Sequence, residues 1–336
     1  MTVIPFRSAS SSYDISIGKG VLGNIASLFN VRRKVLVVTD EGVPAEYPQA
    51  VMSACPDSIL HTVPGGEAFK SLATVEGILS VLLDNGFTRS DAVIAVGGGM
   101  VGDMAGFAAS CYQRGIDFCN VPTTLLSQVD ASVGGKTAVN FKGVKNSVGA
   151  FHNPSAVIID TGTHATLGPR LFAEGMAEVV KMAATSDRAL FERIESGRYG
   201  DDIEGVISSA LAIKVSVVTA DPSEKGLRAV LNFGHTIGHA IEALCKGSLY
   251  HGECVAAGMM YMCSDKVRER LSPVLQKLGL PLSDPYSASE IMPLVMHDKK
   301  RRAGGVVRCV WVEEIGSFEF RDLTSSELSA IIEKRK

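Results

Sequence analysis

No two cysteines stand at CxxC spacing, and the seven present, from Cys55 to Cys309, are an odd number scattered along the chain. A disulfide framework and a thiolate zinc site are both excluded as organising principles, and a reducing, cytoplasmic setting is expected. Charge of one sign is missing too. With 33 Lys and Arg against 36 Asp and Glu, the formal net charge is -3, too weak a field to gather nucleic acid or an anionic membrane. The N-terminal MTVIPFRSASSSYDIS lacks the charged start and apolar stretch of a secretory signal, and no uninterrupted apolar run reads as a bilayer span. A soluble protein without nucleic-acid or membrane partners is the expectation. Internal repeats and low-complexity tracts are absent as well.

What is present is length and apolar content. At 336 residues, 46% of them hydrophobic, the chain exceeds what one core usually supports and predicts two domains. In the first half, KVLVVTD at 34–40, DAVIAVGGG at 91–99, DFCNVPTT at 117–124 and SAVIID at 155–160 read as buried strands joined by helices such as VEGILSVLLDNG at 75–86. Beyond Thr161 long helical periodicity takes over, in 171–196 and again in 202–222. The predicted architecture is α/β: a Rossmann-like nucleotide-binding domain over 1–160, then a mostly helical domain over 161–336.

Strand-like DAVIAV runs into GGGMVGDMAGFAAS. Glycines there let backbone amides approach a pyrophosphate at a helix N-terminus, although tight packing alone also selects such turns and the spacing is not GxGxxG. PGGEAFKS at 64–71 adds a second glycine turn with Lys70, and VTDEG places Asp40 and Glu41 at a strand end where a carboxylate can hold a ribose. Between 114 and 146, Arg114, Thr123, Thr124, Gln128, Asp130, Lys136, Lys145 and Asn146 cluster amid small residues. That combination points to a small, anionic, hydroxyl-rich ligand.

LNFGHTIGHAIEA sets His235 and His239 four residues apart on one predicted helix, a metal-ligand spacing that is also common among hydrogen-bonded core histidines. His251 and Glu253 in YHGECVAAGMM and Glu174, Glu178 and Lys181 in AEGMAEVVK are further candidates. Spacing alone does not select the ligands.

The segments GGGMVGDMAGFAAS, VPTTLLSQVDASVGGKTAVN, KNSVGAFHNP, AEVVK, EKGLRAVLNFGHTIGHAIEA, HGECVAAGM and MHDKK, in this order, resemble the 3-dehydroquinate synthase family of sugar phosphate cyclases over about residues 64–300. The resemblance implies an active site in the cleft between the two domains, NAD as cofactor, one zinc or cobalt ion, and a homodimer. It places the metal on Glu178, His235 and His251, so that His239 faces substrate instead. Substrate contacts fall on Asp130, Lys136, Asn146, Lys181, Lys214, Arg228, Asn232 and His239, with Lys299 and Lys300 of the DKK pair as further candidates. Glu224 orients neighbouring basic groups, and Arg114 reaches the neighbouring subunit's substrate.

NAD contacts fall on Gly66, Glu67 and Lys70, on Gly99, Met100, Val101, Gly102 and Asp103, on Thr123 and Thr124, and on Lys145. Asp40, Asp130 and Lys136 complete that set. The implied reaction turns 3-deoxy-D-arabino-heptulosonate 7-phosphate into 3-dehydroquinate and phosphate without net redox change. Sister cyclases acting on other sugar phosphates, the amino analogue of this substrate, a metal-dependent polyol dehydrogenase of the same architecture, and a non-catalytic nucleotide-binding or regulatory protein on the same scaffold are the alternatives.

Overall fold

The computed structural model describes residues 1–9, 11–299 and 306–335, without the side chains of 297–299. The chain divides into two compact units, Met1–Gly168 and Pro169–Lys336.

In the first unit, strands β1 (Thr2–Arg7), β2 (Ser12–Gly18), β3 (Lys34–Asp40), β4 (Asp57–Val63), β5 (Ala92–Gly97) and β6 (Asp117–Pro122) are followed by the hairpin β7 (Lys136–Phe141) and β8 (Val144–Phe151) and by β9 (Ala156–Asp160). Seven of them form one sheet in the order β1-β2-β9-β6-β5-β3-β4, parallel except for the antiparallel edge strand β1. Every residue of β5, AVIAVG, is buried, as expected of a parallel strand covered on both faces. The helices are α1 (Ile25–Leu28), α2 (Glu46–Ala54), α3 (Leu72–Asp84) and α4 (Gly99–Cys111).

Chain order reverses beside β3: β4 lies on one side of it and β5 on the other. The carboxyl ends of β3 and β5 therefore flank the switch point, where open α/β sheets place their ligands. Asp40 ends β3 and Gly97 ends β5. Gly102, one turn into α4, stands where an added Cβ would lie 2.9 Å from Asn120 Nδ2, so close packing of α4 on β6 also favours a glycine here. β1, β2 and the β7–β8 hairpin were not foreseen as strands.

The second unit contains α5 (Pro169–Ser186), α6 (Arg188–Glu195), α7 (Ile203–Ala220), α8 (His235–Cys245), α9 (His251–Met259), α10 (Asp265–Lys277), α11 (Ala288–Lys299) and α12 (Ser325–Lys334), with the hairpin β10 (Val306–Trp311) and β11 (Glu319–Thr324). The periodic stretch 171–196 is two helices because Asp187 ends one and caps the next, accepting the Leu190 N–H at 3.0 Å. Arg198–Ala220 has the length and mean hydropathy (1.6) of a membrane span, although Asp201, Asp202, Glu204 and Lys214 interrupt its apolar run. Its Val206, Ile207, Ala210, Leu211 and Val218 are buried in the second unit together with Lys214, the pattern of a core helix.

Candidate active site

α9 is buried along nearly its whole length, and glycines let its neighbours approach. A Cβ on Gly258 would lie 2.0 Å from the Gly234 carbonyl oxygen, so α9 crosses the start of α8 backbone to backbone. His235, the first residue of α8, and His251, the first of α9, thereby converge on α5.

α5 meets them with Arg170, Glu174, Glu178 and Lys181, spaced by four, four and three residues and hence on one face. Glu178 is fully buried. Its Oε1 stands 3.6 Å from His235 Nε2 and 3.5 Å from His251 Nε2, and the Lys181 ammonium touches Oε2. Lys181 offsets part of this buried charge at Oε2, while neither carboxylate oxygen accepts a well-directed hydrogen bond, so a cation shared with the two imidazoles would complete the site. Burial pushes Glu178 up, but Lys181, His235 and His251 outweigh it and hold the carboxyl well below its usual range.

The other nitrogens are held from behind. His235 Nδ1 faces the Phe233 carbonyl oxygen at 3.2 Å, and His251 Nδ1 faces Glu242 Oε2 at 3.1 Å. Burial lowers His251, yet Glu178 and Glu242 together raise it to about 10. Two donors bonded at about 2.1 Å to one tetrahedral ion stand about 3.4 Å apart, which the two imidazole–carboxylate separations match. These residues fit a divalent metal. The imidazole nitrogens of His235, His239 and His251 also gather within 4.8 Å of one another, the one such group of His, Cys, Asp or Glu found among the described residues. His239 is the exposed member.

Two of the sequence candidates have other work. Glu253 caps α9, accepting the Tyr250 N–H at 2.6 Å, and pairs with Arg170 at 2.7 Å. Glu174 accepts backbone hydrogen bonds from His251 and Gly252.

The second unit also holds Lys181, Lys214 and Arg228 as buried cations, at 2%, 5% and 4% exposure. The loop carrying Arg228 is organised by Asp221, which accepts the backbone N–H groups of Lys225, Gly226 and Arg228 at 2.9, 2.7 and 3.0 Å. Arg228 Nη1 donates to the Pro222 carbonyl at 3.0 Å, and Asn232 Nδ2 to Glu224 Oε1 at 3.1 Å. Glu224 sits at φ 55, a left-handed position in this loop. Lys299 belongs to α11, but its side chain, like all of Lys300, lies outside the described residues.

The first unit gathers a second group. Lys70, 5% exposed, donates to Asp103 Oδ2 and to Asn146 Oδ1, both at 2.5 Å. Asn140 links Asn146 N–H and Glu67 Oε1, each at 2.9 Å. Thus the PGGEAFKS turn, α4 and the β7–β8 hairpin meet at one polar network. Burial raises Asp103 to about 6 even against the pull of Lys70.

No side chain caps α4 at Gly98, where an added Cβ would lie 3.4 Å from Thr124 Cγ2, and Thr123 N–H donates to the Gly97 carbonyl at 2.9 Å. Gly99, Met100, Val101, Gly102 and Asp103 form the first turns of α4. Asp40 Oδ1 accepts the Gly42 N–H at 2.7 Å. Asp130 lies on a π-helical turn, Ser127–Ala131, a form common at functional sites. Lys136 and Lys145 are exposed on the hairpin, and Arg114 is exposed at φ 69.

Gln128 does not belong with the ligand candidates. It is fully buried, donating from Nε2 to Pro122 and Asp160 carbonyls and to Thr163 Oγ1, while its Oε1 meets His164 at 2.7 Å. A satisfied core amide explains it. Asp221, Glu242 and Asn140 were missed. Glu242 had a sequence signal, standing seven residues after His235 and so on the same face of α8.

Residues 60–174 match the family model 3-dehydroquinate synthase N-terminal, and residues 175–301 match 3-dehydroquinate synthase C-terminal. The 3-dehydroquinate synthase of Vibrio atlanticus is 42% identical over 95% of this chain and 94% of its own. That of Enterococcus faecalis is 42% identical over 96% of both. Among solved structures, 2-deoxy-scyllo-inosose synthase complexed with carbaglucose-6-phosphate, NAD+ and Co2+ matches at TM-score 0.90 and 26% identity, covering all of both chains. The 2-epi-5-epi-valiolone synthase of Streptomyces hygroscopicus with NAD+ and Zn2+ bound matches at TM-score 0.88 and 27% identity over 96% of both. A probable glycerol dehydrogenase from Sinorhizobium meliloti, at 16% identity and TM-score 0.61, shares the fold. Family models spanning 60–301 and relatives aligned over nearly the full length agree with the metal-fitting site: the chain belongs to the 3-dehydroquinate synthase family.

Proposed function

We propose that the protein converts 3-deoxy-D-arabino-heptulosonate 7-phosphate to 3-dehydroquinate and phosphate in the shikimate pathway, as a phosphate-eliminating carbon–oxygen lyase. The observation that carries the reading is the fully buried Glu178 carboxylate, 3.5 and 3.6 Å from two imidazole nitrogens that are themselves fixed from behind. Glu178, His235 and His251 hold a zinc or cobalt ion, because Glu178 Oε1 stands from both imidazole Nε2 atoms at the separation of two donors on one ion, whereas His239 is the exposed member of the histidine group.

The bound metal supplies a Lewis acid beside a ring hydroxyl, and NAD+ supplies a hydride acceptor that is restored before product leaves. The chain's own residues do the rest. Arg228 and Lys214 hold the substrate carboxylate, fixing orientation as well as affinity. Lys136, Asn146, Asn232 and His239 bind the phosphate, Lys181 adds positive charge beside the reacting hydroxyls, and Glu224 orients Asn232. Asp130 holds a hydroxyl. The departing phosphate takes the proton from the carbon beside the transient ketone, so no side-chain base is required for elimination.

NAD+ would be held near the switch point by the backbone amides of Gly99 to Gly102, with Lys70 and Asp103 close by. Asp40, Gly66, Glu67, Thr123, Thr124 and Lys145 complete its site. The enzyme is a cytoplasmic homodimer in which the exposed Arg114 reaches the neighbouring subunit's substrate. Offering the metal-loaded protein the heptulosonate and glucose 6-phosphate in parallel tests the substrate assignment. Turnover of the carboxylated sugar alone is expected, whereas turnover of glucose 6-phosphate alone would assign the chain to a carboxylate-free cyclase.

A further inference from the structure

The two imidazoles that face Glu178 are held by different means. His235 leans on a carbonyl two residues away in its own chain, Phe233 O at 3.2 Å, a contact set by the backbone turn into α8. His251 has no such local support for Nδ1. Its partner is Glu242 Oε2 at 3.1 Å, on the neighbouring helix and only 14% exposed.

Glu242 stands two turns after His235 and one after His239, so a single face of α8 carries all three. α8 thus presents one imidazole itself and reaches across to steady the imidazole of α9. A carboxylate accepting from Nδ1–H leaves the Nε2 lone pair as the one available to a metal, and it makes the ring a more basic donor.

We propose that Glu242 is a positioning residue of the metal centre, holding His251 in the rotamer and tautomer that coordinate. The inference rests on the reading above that Glu178, His235 and His251 bind a divalent ion. It adds a residue outside that set and makes the two imidazoles inequivalent. His235 keeps its support through side-chain changes around it, while His251 depends on one carboxylate.

The test uses full-length protein stripped of metal and titrated with Co2+ against a competing chelator, reading both affinity and the visible absorption of bound Co2+. Wild type, His251→Ala, Glu242→Gln and Glu242→Ala are compared, with thermal melting of the metal-free forms as the measure of fold. The expected result is loss of the stoichiometric site in His251→Ala. Affinity should be about 10-fold weaker in Glu242→Gln and approach about 100-fold weaker in Glu242→Ala, with a shifted Co2+ band in both.

A residue that merely joined α8 to α9 would lower the metal-free melting temperature and leave the band of bound Co2+ where it is in wild type; that result would overturn the proposal. Affinity within twofold of wild type in both Glu242 variants, while His251→Ala loses metal, would overturn it alone. Full metal retention by His251→Ala would overturn the ligand assignment and this proposal with it.

Discussion

Gly258→Ala tests the physical basis of the metal centre without touching a ligand. The added Cβ would stand 2.0 Å from the Gly234 carbonyl oxygen and 2.8 Å from the Gly238 nitrogen. An ordinary carbon–oxygen approach is about 3.4 Å, so α9 and the start of α8 must part by roughly 1.4 Å. Gly234 immediately precedes His235, and the displaced backbone is therefore the one that carries a ligand. If the shift acts along the line of donors, the 3.6 Å separation of His235 Nε2 from Glu178 Oε1 grows to about 5 Å, beyond what one ion with bonds of about 2.1 Å can span.

Overpacking of this kind costs about 1–3 kcal/mol, and misplacement by about 1 Å costs turnover on the order of 100-fold. Metal content after gel filtration, thermal unfolding and phosphate release measure the three effects. The control is Gly77→Ala in α3, where an added Cβ meets nothing within 4 Å; it should leave metal unchanged and add about 0.5–1 kcal/mol of stability. A Gly258→Ala protein that melts with wild type and keeps a full equivalent of metal would refute the reasoning.

Asp103, raised by burial to about 6 from an unfolded value near about 3.9, binds its proton more tightly in the folded protein. Its contribution to the stability of the cofactor-free protein is complete below about pH 4, falls by roughly 1–3 kcal/mol as pH rises to about 6, and is flat above. Urea midpoints across this range should show that segment in wild type and lose it in Asp103→Asn; superimposable profiles would sink the assignment. Asp221→Ala removes the acceptor of three backbone N–H groups in the Arg228 loop, and kcat/KM should fall about 10- to 100-fold with metal content unchanged. Wild-type kinetics would show that the loop holds its shape without that carboxylate.

The parallel strands were legible because burial on both faces leaves continuous apolar runs, KVLVVTD and AVIAVG among them. β1 and β2 were not: the edge strand TVIPFR buries only Phe6 fully over six residues, and SYDISIG in β2 interleaves polar Ser and Asp with its buried apolar positions. The β7–β8 hairpin hid behind its own function: its polar residues read as a ligand-binding loop, and Asn140 and Asn146 do join the Lys70 network from strand positions. In the second unit periodicity found the helical stretches of α5 to α7, but neither the β10–β11 hairpin nor the break at Asp187, which is a capping event of one side chain.

The metal candidates show the limit of spacing most clearly. His235 and His239 share the helix spacing of a ligand pair, yet the residues that press on Glu178 are His235 and His251, sixteen positions apart in sequence and brought together by glycines at the α8–α9 crossing. Glu253 and Glu174 looked equivalent to Glu178 in the sequence. In the fold they cap and pin the start of α9. Sequence specified the donors' chemistry, and close backbone packing selected among them.

The most direct test of the account follows phosphate, NADH absorbance and carbocyclic product together, using protein with NAD+ and 3-deoxy-D-arabino-heptulosonate 7-phosphate before and after metal is stripped by a chelator. The account predicts one phosphate per 3-dehydroquinate with no net NADH, loss of both products on stripping, and recovery on adding zinc or cobalt. Undiminished phosphate release from protein shown to be free of metal would contradict it.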